Sequence, residues 1–135
     1  MIGIVVVSHS RPLAEAAVDL AREMAPEGPQ VAVAAGIGDG FGTDAQAIAA
    51  AIEEVDSPDG VLVLLDLGSA ILSAEMALEF IGEELASRVK VSAAPLVEGL
   101  VIAMVAGQTG LGLDQVEAEA AQGLLPKQVQ LGVHG

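Results

Sequence analysis

The sequence predicts an α/β fold in three layers: a mainly parallel sheet of strand order 2-1-3-4 with helices on both faces. Three observations carry this. Residues 2–7 (IGIVVV) and 60–65 (GVLVLL) are nearly unbroken runs of Val, Ile and Leu, the pattern of strands covered on both faces rather than one. Apolar runs alternate with segments of helical period, as right-handed βαβ units require. Turn and capping residues fall between the two kinds of segment.

Four strands are expected, at residues 2–7, 31–35, 60–65 and 88–93. After the first strand, Leu13, Ala16, Ala17, Leu20 and Met24 recur at helical spacing. Ser10 is placed to cap that helix, and Pro12 is tolerated in its first turn. Ile48, Ile52 and Val55 mark a second helix; Thr43 and Gln46 have capping-box spacing, which starts it at Thr43. The stretch 56–60 (DSPDG) is a turn. Ile71, Ala74, Leu78 and Ile81 mark a third helix.

Beyond Pro95 the segment LVEGLVIAMVAG is apolar nearly all round. As a helix it is either central or faces a partner subunit; its Val101-Ile102 pair and flanking glycines also allow an extra strand. Residues 113–122 read as a last, more polar helix. The end, LLPKQVQLGVHG, shows no helical period. The organisation expected is therefore one domain over 1–123 and a tail or truncated linker over 124–135.

The 135-residue length suits a single domain, and a chain of this size buries roughly 68–70% of its unfolded surface. There is no cysteine, so disulfides and thiolate metal sites are excluded and a reducing compartment fits. The two histidines lie far apart in sequence, which speaks against a zinc cluster. The longest apolar stretches, 4–7, 61–65 and 100–106, fall far short of the ~18 residues a spanning helix needs. No basic region precedes the first apolar run, so no signal peptide is read, and a cytoplasmic protein is expected. With nineteen acids against five bases the net charge is −14. Such a surface repels nucleic acid and anionic membrane. It suits a protein partner with a basic docking face, or simply keeps the chain soluble.

The candidate chemistry gathers at one sheet edge. His9 lies just past the carboxyl end of the first strand and just before a helix start. Open α/β sheets bind ligands at that edge, and free N–H groups at a helix start favour an anion. Asp66 follows the third strand and precedes a helix. With the order 2-1-3-4 it lies beside His9, where a carboxylate can accept from Nδ1–H and leave Nε2 as a nucleophile; an N-cap is the alternative reading for Asp66. Gly68 allows close approach of a ligand, and Ser69 offers a hydroxyl and an N–H to phosphate oxygens. Ser10 and Arg11 are further phosphate-binding candidates, with a solvated surface charge the simpler reading of Arg11. The loop AGIGDGFGTD matches neither G-x-G-x-x-G nor a P-loop. It is either a flexible turn or a lid carrying N–H groups, among them that of Gly38, and Thr43 toward His9. His134 is read as inert, and no metal site is expected.

VSHS at 7–10, AAGI at 34–37, GTDA at 42–45, DLGSAILSAEMALE at 66–79 and AAPLVEG at 93–99 together resemble the DhaM family. These are the phosphotransferase subunits of phosphoenolpyruvate-dependent dihydroxyacetone kinases, and their leading domain is related to the mannose-type IIA components of the sugar phosphotransferase system. The resemblance runs from the N-terminus to about residue 120. It implies a mannose-type IIA-like domain that forms a homodimer, with His9 as the phosphorylated histidine and Asp66 beside it. It also implies HPr as donor, itself charged through enzyme I, and ADP on the DhaL subunit as acceptor. The ATP so formed would phosphorylate dihydroxyacetone on DhaK. ADP and magnesium would then belong to the partner subunit, and this chain would bind no cofactor of its own. Some members continue into HPr-like and enzyme-I-like domains, and this chain stops near the first boundary. The nearest alternative is a mannose-type IIA component that passes phosphate to a IIB sugar-transport protein. An acidic flavodoxin-like binding module with an idle His9 is the alternative from another class.

Overall fold

The computed structural model describes residues 1–133. His134 lies outside the described residues. Four parallel strands, β1 (Gly3–Ser8), β2 (Val31–Ala35), β3 (Val61–Leu65) and β4 (Val89–Val91), form one sheet in the order β2-β1-β3-β4. They are separated by α1 (Arg11–Met24), α2 (Ala45–Glu54), α3 (Ala70–Phe80) and the short α4 (Glu83–Ala86), and followed by α5 (Leu96–Gln108), α6 (Leu113–Ala121) and α7 (Leu125–Leu131). The expected α/β architecture and strand order are the ones observed.

The unbroken apolar strands have the expected cause. Ile4, Val6, Leu62 and Leu64 point into a layer with α1, α5 and α6, while Val5, Val7, Val63 and Leu65 point into one with α2 and α3. All eight are buried, each large side chain contributing about 1.5–3 kcal/mol by leaving water. The helices approach the sheet through small residues. On α1 the buried positions are Ala14, Ala17 and Ala21, whereas Leu13, Leu20 and Met24, the larger members of its apolar stripe, are exposed. At Gly3 the backbone of Val55 comes so close that an added Cβ would lie 2.1 Å from its carbonyl oxygen.

Several elements differ from expectation. The cap of α2 is Asp44, whose side chain accepts from the Gln46 N–H, so the helix starts at Ala45 rather than Thr43. Residues 96–108 form a helix and not a fifth strand. It is central on one side, with Leu100, Ala103 and Met104 fully buried, and open on the other, with Val97 and Val105 exposed. α4 had no counterpart in the sequence reading. The segment after Gly123, which showed no period, contains α7; Lys127 on this helix pairs with Glu98 of α5. Residues of α7 are exposed nearly all round, so no apolar stripe is needed to hold it.

Candidate active site

The register of the sheet builds the site. Val7 of β1 pairs with Leu65 of β3, and the Asp66 N–H extends that ladder to the Val7 carbonyl at 3.1 Å. The residues that follow each strand therefore leave the same edge side by side. His9 and Asp66 meet there, Nδ1 lying 2.9 Å from Oδ1. The His9 side chain is a quarter exposed, at 25%, and that of Asp66 at 10%, so the ring opens to solvent while the carboxylate behind it is shielded.

Asp66 accepts at both oxygens. Oδ2 takes the His9 backbone N–H at 3.0 Å and the Ser8 hydroxyl at 2.9 Å. Oδ1 takes the Leu67 N–H at 2.7 Å as well as the ring. These contacts use about the full acceptor capacity of an ionised carboxylate. Burial opposes its charge, but the bonds from the His9 backbone and ring, from Ser8 and from Leu67 outweigh that, and the Asp66 carboxyl is held below the ordinary carboxylate range. The ionised carboxylate can only accept, so the His9 proton belongs on Nδ1 and the lone pair on Nε2. Asp66 does not cap α3, which begins at Ala70.

Ser69 stands immediately before α3 with helical φ and ψ, and its hydroxyl makes no capping bond. It lies instead 2.8 Å from His9 Nε2, where it donates to that lone pair. The turn before α3 closes through Ala70 N–H to Leu67 O and Ile71 N–H to Gly68 O. The N–H groups of Gly68 and Ser69 have no acceptor among the described residues, and the space beside the Gly68 Cα is open. Free amides, a hydroxyl and open volume thus share the turn that faces Nε2, as an anion there would require.

The start of α1 contributes less than expected. The Ser10 N–H goes to Ser8 Oγ at 3.0 Å, its hydroxyl caps the Leu13 N–H at 3.3 Å, and Pro12 has no N–H. Only the Arg11 amide remains free among these four residues. The Arg11 side chain makes no ion pair among the described residues and lines a shallow cleft with Ser10, Gly38 and Phe41.

The glycine loop is pinned rather than free. Gly36 N–H bonds the Ser8 carbonyl at 3.2 Å, Gly42 N–H the His9 carbonyl at 2.9 Å and Gly40 N–H the Ile37 carbonyl at 2.9 Å. Three of its four glycine amides are therefore spent on the fold. Gly38, at φ +58°, faces open space. Thr43 Oγ1 lies 2.8 Å from Ser73 Oγ, one helical turn beyond Ser69, and so ties the loop to α3. Of the residues read from the sequence, His9, Asp66 and Ser69 form one bonded cluster with Gly68 in the adjoining turn. Ser10, Arg11 and Gly38 border the neighbouring cleft, and Thr43 serves the loop. Ser8 and Ser73 were missed; for Ser8 the available signal was a polar residue ending an otherwise apolar strand.

No helix among the described residues is long and apolar enough to cross a membrane. Residues 3–117 match the family model for the PTS system fructose IIA component, EIIA-man. The chain is 45% identical, over 98% of its length, to the phosphoryl donor subunit DhaM of the PEP-dependent dihydroxyacetone kinase of Escherichia coli, and spans 29% of that relative. It is 41% identical to the DhaM subunit of PEP-dependent dihydroxyacetone kinase 2 of Listeria innocua, covering 78% of this chain and 85% of that one. A crystal structure of a protein of unknown function superposes with a TM-score of 0.77 at 28% identity, over 90% of this chain and 95% of the other.

Proposed function

The chain belongs to the EIIA-man family of phosphotransferase-system components and, within it, to the DhaM phosphoryl donor subunits, and from this we propose that it is a phosphoryl relay working through a phosphohistidine at His9. The chain spans less than a third of the length of the enterobacterial relatives it matches. Donor, acceptor and assembly are therefore part of the proposal.

In the first step Nε2 of neutral His9 attacks the phosphorus of phospho-HPr in line. The Nε2–P bond forms, the donor's N–P bond breaks, and the donor ring leaves with the electron pair of that bond. The Nδ1 proton stays where it is, and Asp66 balances the imidazolium character of the phosphorylated ring. The free amides at Gly68 and Ser69 and the Ser69 hydroxyl, turned from Nε2 to the phosphoryl oxygens, stabilise the spreading charge. Gly38, Ser10 and Arg11 border the approach from the neighbouring cleft, and Thr43 holds the loop to α3 through Ser73. In the second step a β-phosphate oxygen of ADP, held with magnesium on DhaL, attacks the same phosphorus and His9 returns to its neutral form. The resulting ATP serves dihydroxyacetone phosphorylation on DhaK. Nitrogen is both donor and acceptor in the first step, so that step runs close to balance and asks no metal of this chain. The relay is cytoplasmic and homodimeric, with the open side of α5 as the candidate contact between copies.

The observation that carries this reading is the contact of His9 Nδ1 with a carboxylate in a ring that stays a quarter exposed, at 25%, with Nε2 meeting only the Ser69 hydroxyl among the described residues. A IIB acceptor would use the same histidine; the names of the relatives favour the kinase route. Labelled phospho-HPr is expected to leave an acid-labile phosphate on the wild-type chain and none on His9→Ala. The label is then expected to pass to DhaL·ADP and not to a IIB protein. A labelled His9→Ala chain overturns the site, and transfer to IIB alone overturns the acceptor.

A further inference from the structure

Ser8 is fully buried at the end of β1, one of only two buried polar residues among the described residues. Burying a hydroxyl costs free energy unless it is bonded, and the Ser8 bonds are directional. Its Oγ lies 3.0 Å from the Ser10 backbone N–H and 2.9 Å from Asp66 Oδ2. A backbone N–H can only donate, so Oγ accepts from Ser10 and its own hydrogen goes to Asp66. Two chains of donors then converge on Asp66: Ser10 N–H to Ser8 and Ser8 O–H to Oδ2 on one side, Ser69 O–H to His9 Nε2 and His9 Nδ1–H to Oδ1 on the other. The first direction is set at a peptide amide, which cannot reverse, and the second at the ionised carboxylate, which can only accept.

We propose that Ser8 is a positioning residue for phosphoryl transfer: it locks the Asp66 carboxylate in the rotation that keeps Oδ1 on His9 Nδ1, and so keeps the lone pair on Nε2. Without the Ser8 hydroxyl, Oδ2 keeps only the His9 N–H, the Ser10 N–H loses its acceptor, and the carboxylate is freer to turn about its Cβ–Cγ bond. The ring then drifts toward the tautomer with its proton on Nε2, the form free histidine prefers, and that form has no nucleophile at the exposed nitrogen. Ser8 does not meet the phosphoryl group; it acts through Asp66.

The inference rests on His9 being the phosphoryl acceptor, and the test separates the two. Wild type, Ser8→Ala, Ser8→Cys and His9→Ala are treated with phosphoramidate, and phosphohistidine formation at His9 is followed by ³¹P NMR, with His9→Ala identifying the signal of the other histidine, His134. The His9 tautomer is read separately from ring ¹⁵N shifts, with no phosphoryl donor present. Cysteine fills the serine volume and bonds weakly, so a packing role predicts wild-type behaviour for Ser8→Cys. A positioning role predicts that Ser8→Ala and Ser8→Cys both lose about tenfold in rate, the scale of one hydrogen bond to a charged group, with ring shifts moved toward the Nε2–H form. Should Ser8→Ala not fold, Ser8→Cys decides alone. Wild-type rate in Ser8→Cys, or a slowed rate with unmoved ring shifts, overturns the proposal. Wild-type phosphohistidine confined to His134, with His9 unlabelled, overturns the relay reading while the tautomer data still judge Ser8.

Discussion

Asp66 holds His9 twice, through Oδ2 to its backbone N–H at 3.0 Å and through Oδ1 to its ring Nδ1 at 2.9 Å, across 57 residues of sequence. One contact fixes where the chain leaves β1, and the other fixes how the ring is turned. Because both depend on a single carboxylate, ring orientation is tied to the junction of β1 and β3 and not to a side chain on a loop.

Asp66→Asn tests this arrangement. The amide keeps the shape but brings an NH₂ that cannot accept from the donors now meeting the carboxylate, and it removes the charge that balances the phosphorylated ring. The fold should survive, since the strands are held by apolar burial on both faces. Phosphorylation of His9 should slow by about 10–100-fold, the scale on which orienting partners act. Stopped-flow or quench measurement of phosphohistidine formation checks this, and an unchanged rate would remove Asp66 from the mechanism.

The same carboxylate should leave a signature in acid stability. Its folded pKa lies below the ordinary 3.8 because the bonds from His9, Ser8 and Leu67 outweigh the cost of burial. A depressed folded value means the stabilisation is fully present above the unfolded pKa and is lost as pH falls through the folded one. The part of the wild-type advantage over Asp66→Asn that comes from this shift should therefore shrink from about pH 4 downward. Urea unfolding midpoints of the two proteins across that range provide the measurement; a constant gap to the acid end would mean that Asp66 gains nothing from its partners.

How much of this was legible in the sequence depends on what each residue's role requires. The strand order and the meeting of His9 with Asp66 follow from two apolar runs and the polar residues just past them, because parallel strands buried on both faces have few other solutions. The buried face of α1 was harder to read. Of the stripe Leu13, Ala16, Ala17, Leu20 and Met24 only Ala17 is buried, and it turns inward with Ala14 and Ala21 because the helix sits close to the sheet. Thr43 and Asp44 are both good caps in adjacent positions, and the choice falls to Asp44 because the Thr43 hydroxyl is engaged with Ser73. α7 carries no stripe, so periodicity had nothing to detect. Ser8 escaped notice because its role lies in the direction of its hydrogen bonds, which only the geometry of Ser10 and Asp66 defines.

Ser69 occupies a position where serine ordinarily caps a helix, a contribution of about 1 kcal/mol, yet its hydroxyl forgoes that bond and turns to Nε2 at 2.8 Å. In the resting protein this hydroxyl shields the nucleophile; attack on phosphorus requires it to swing aside, and the phosphoryl oxygens then offer it new acceptors. Ser69→Ala removes both effects. Loss of the shield favours uptake while loss of the contact with the phosphoryl oxygens opposes it, so uptake should stay within about threefold of the wild-type rate, whereas the life of the phosphohistidine, which gains nothing from the missing shield, should shorten by about three- to tenfold, the scale of one hydrogen bond. The two steps separate experimentally, uptake by quenched labelling and lifetime by decay of the ³¹P signal after the donor is removed. A phosphohistidine as long-lived as in wild type would show that the Ser69 hydroxyl serves only the unphosphorylated ring.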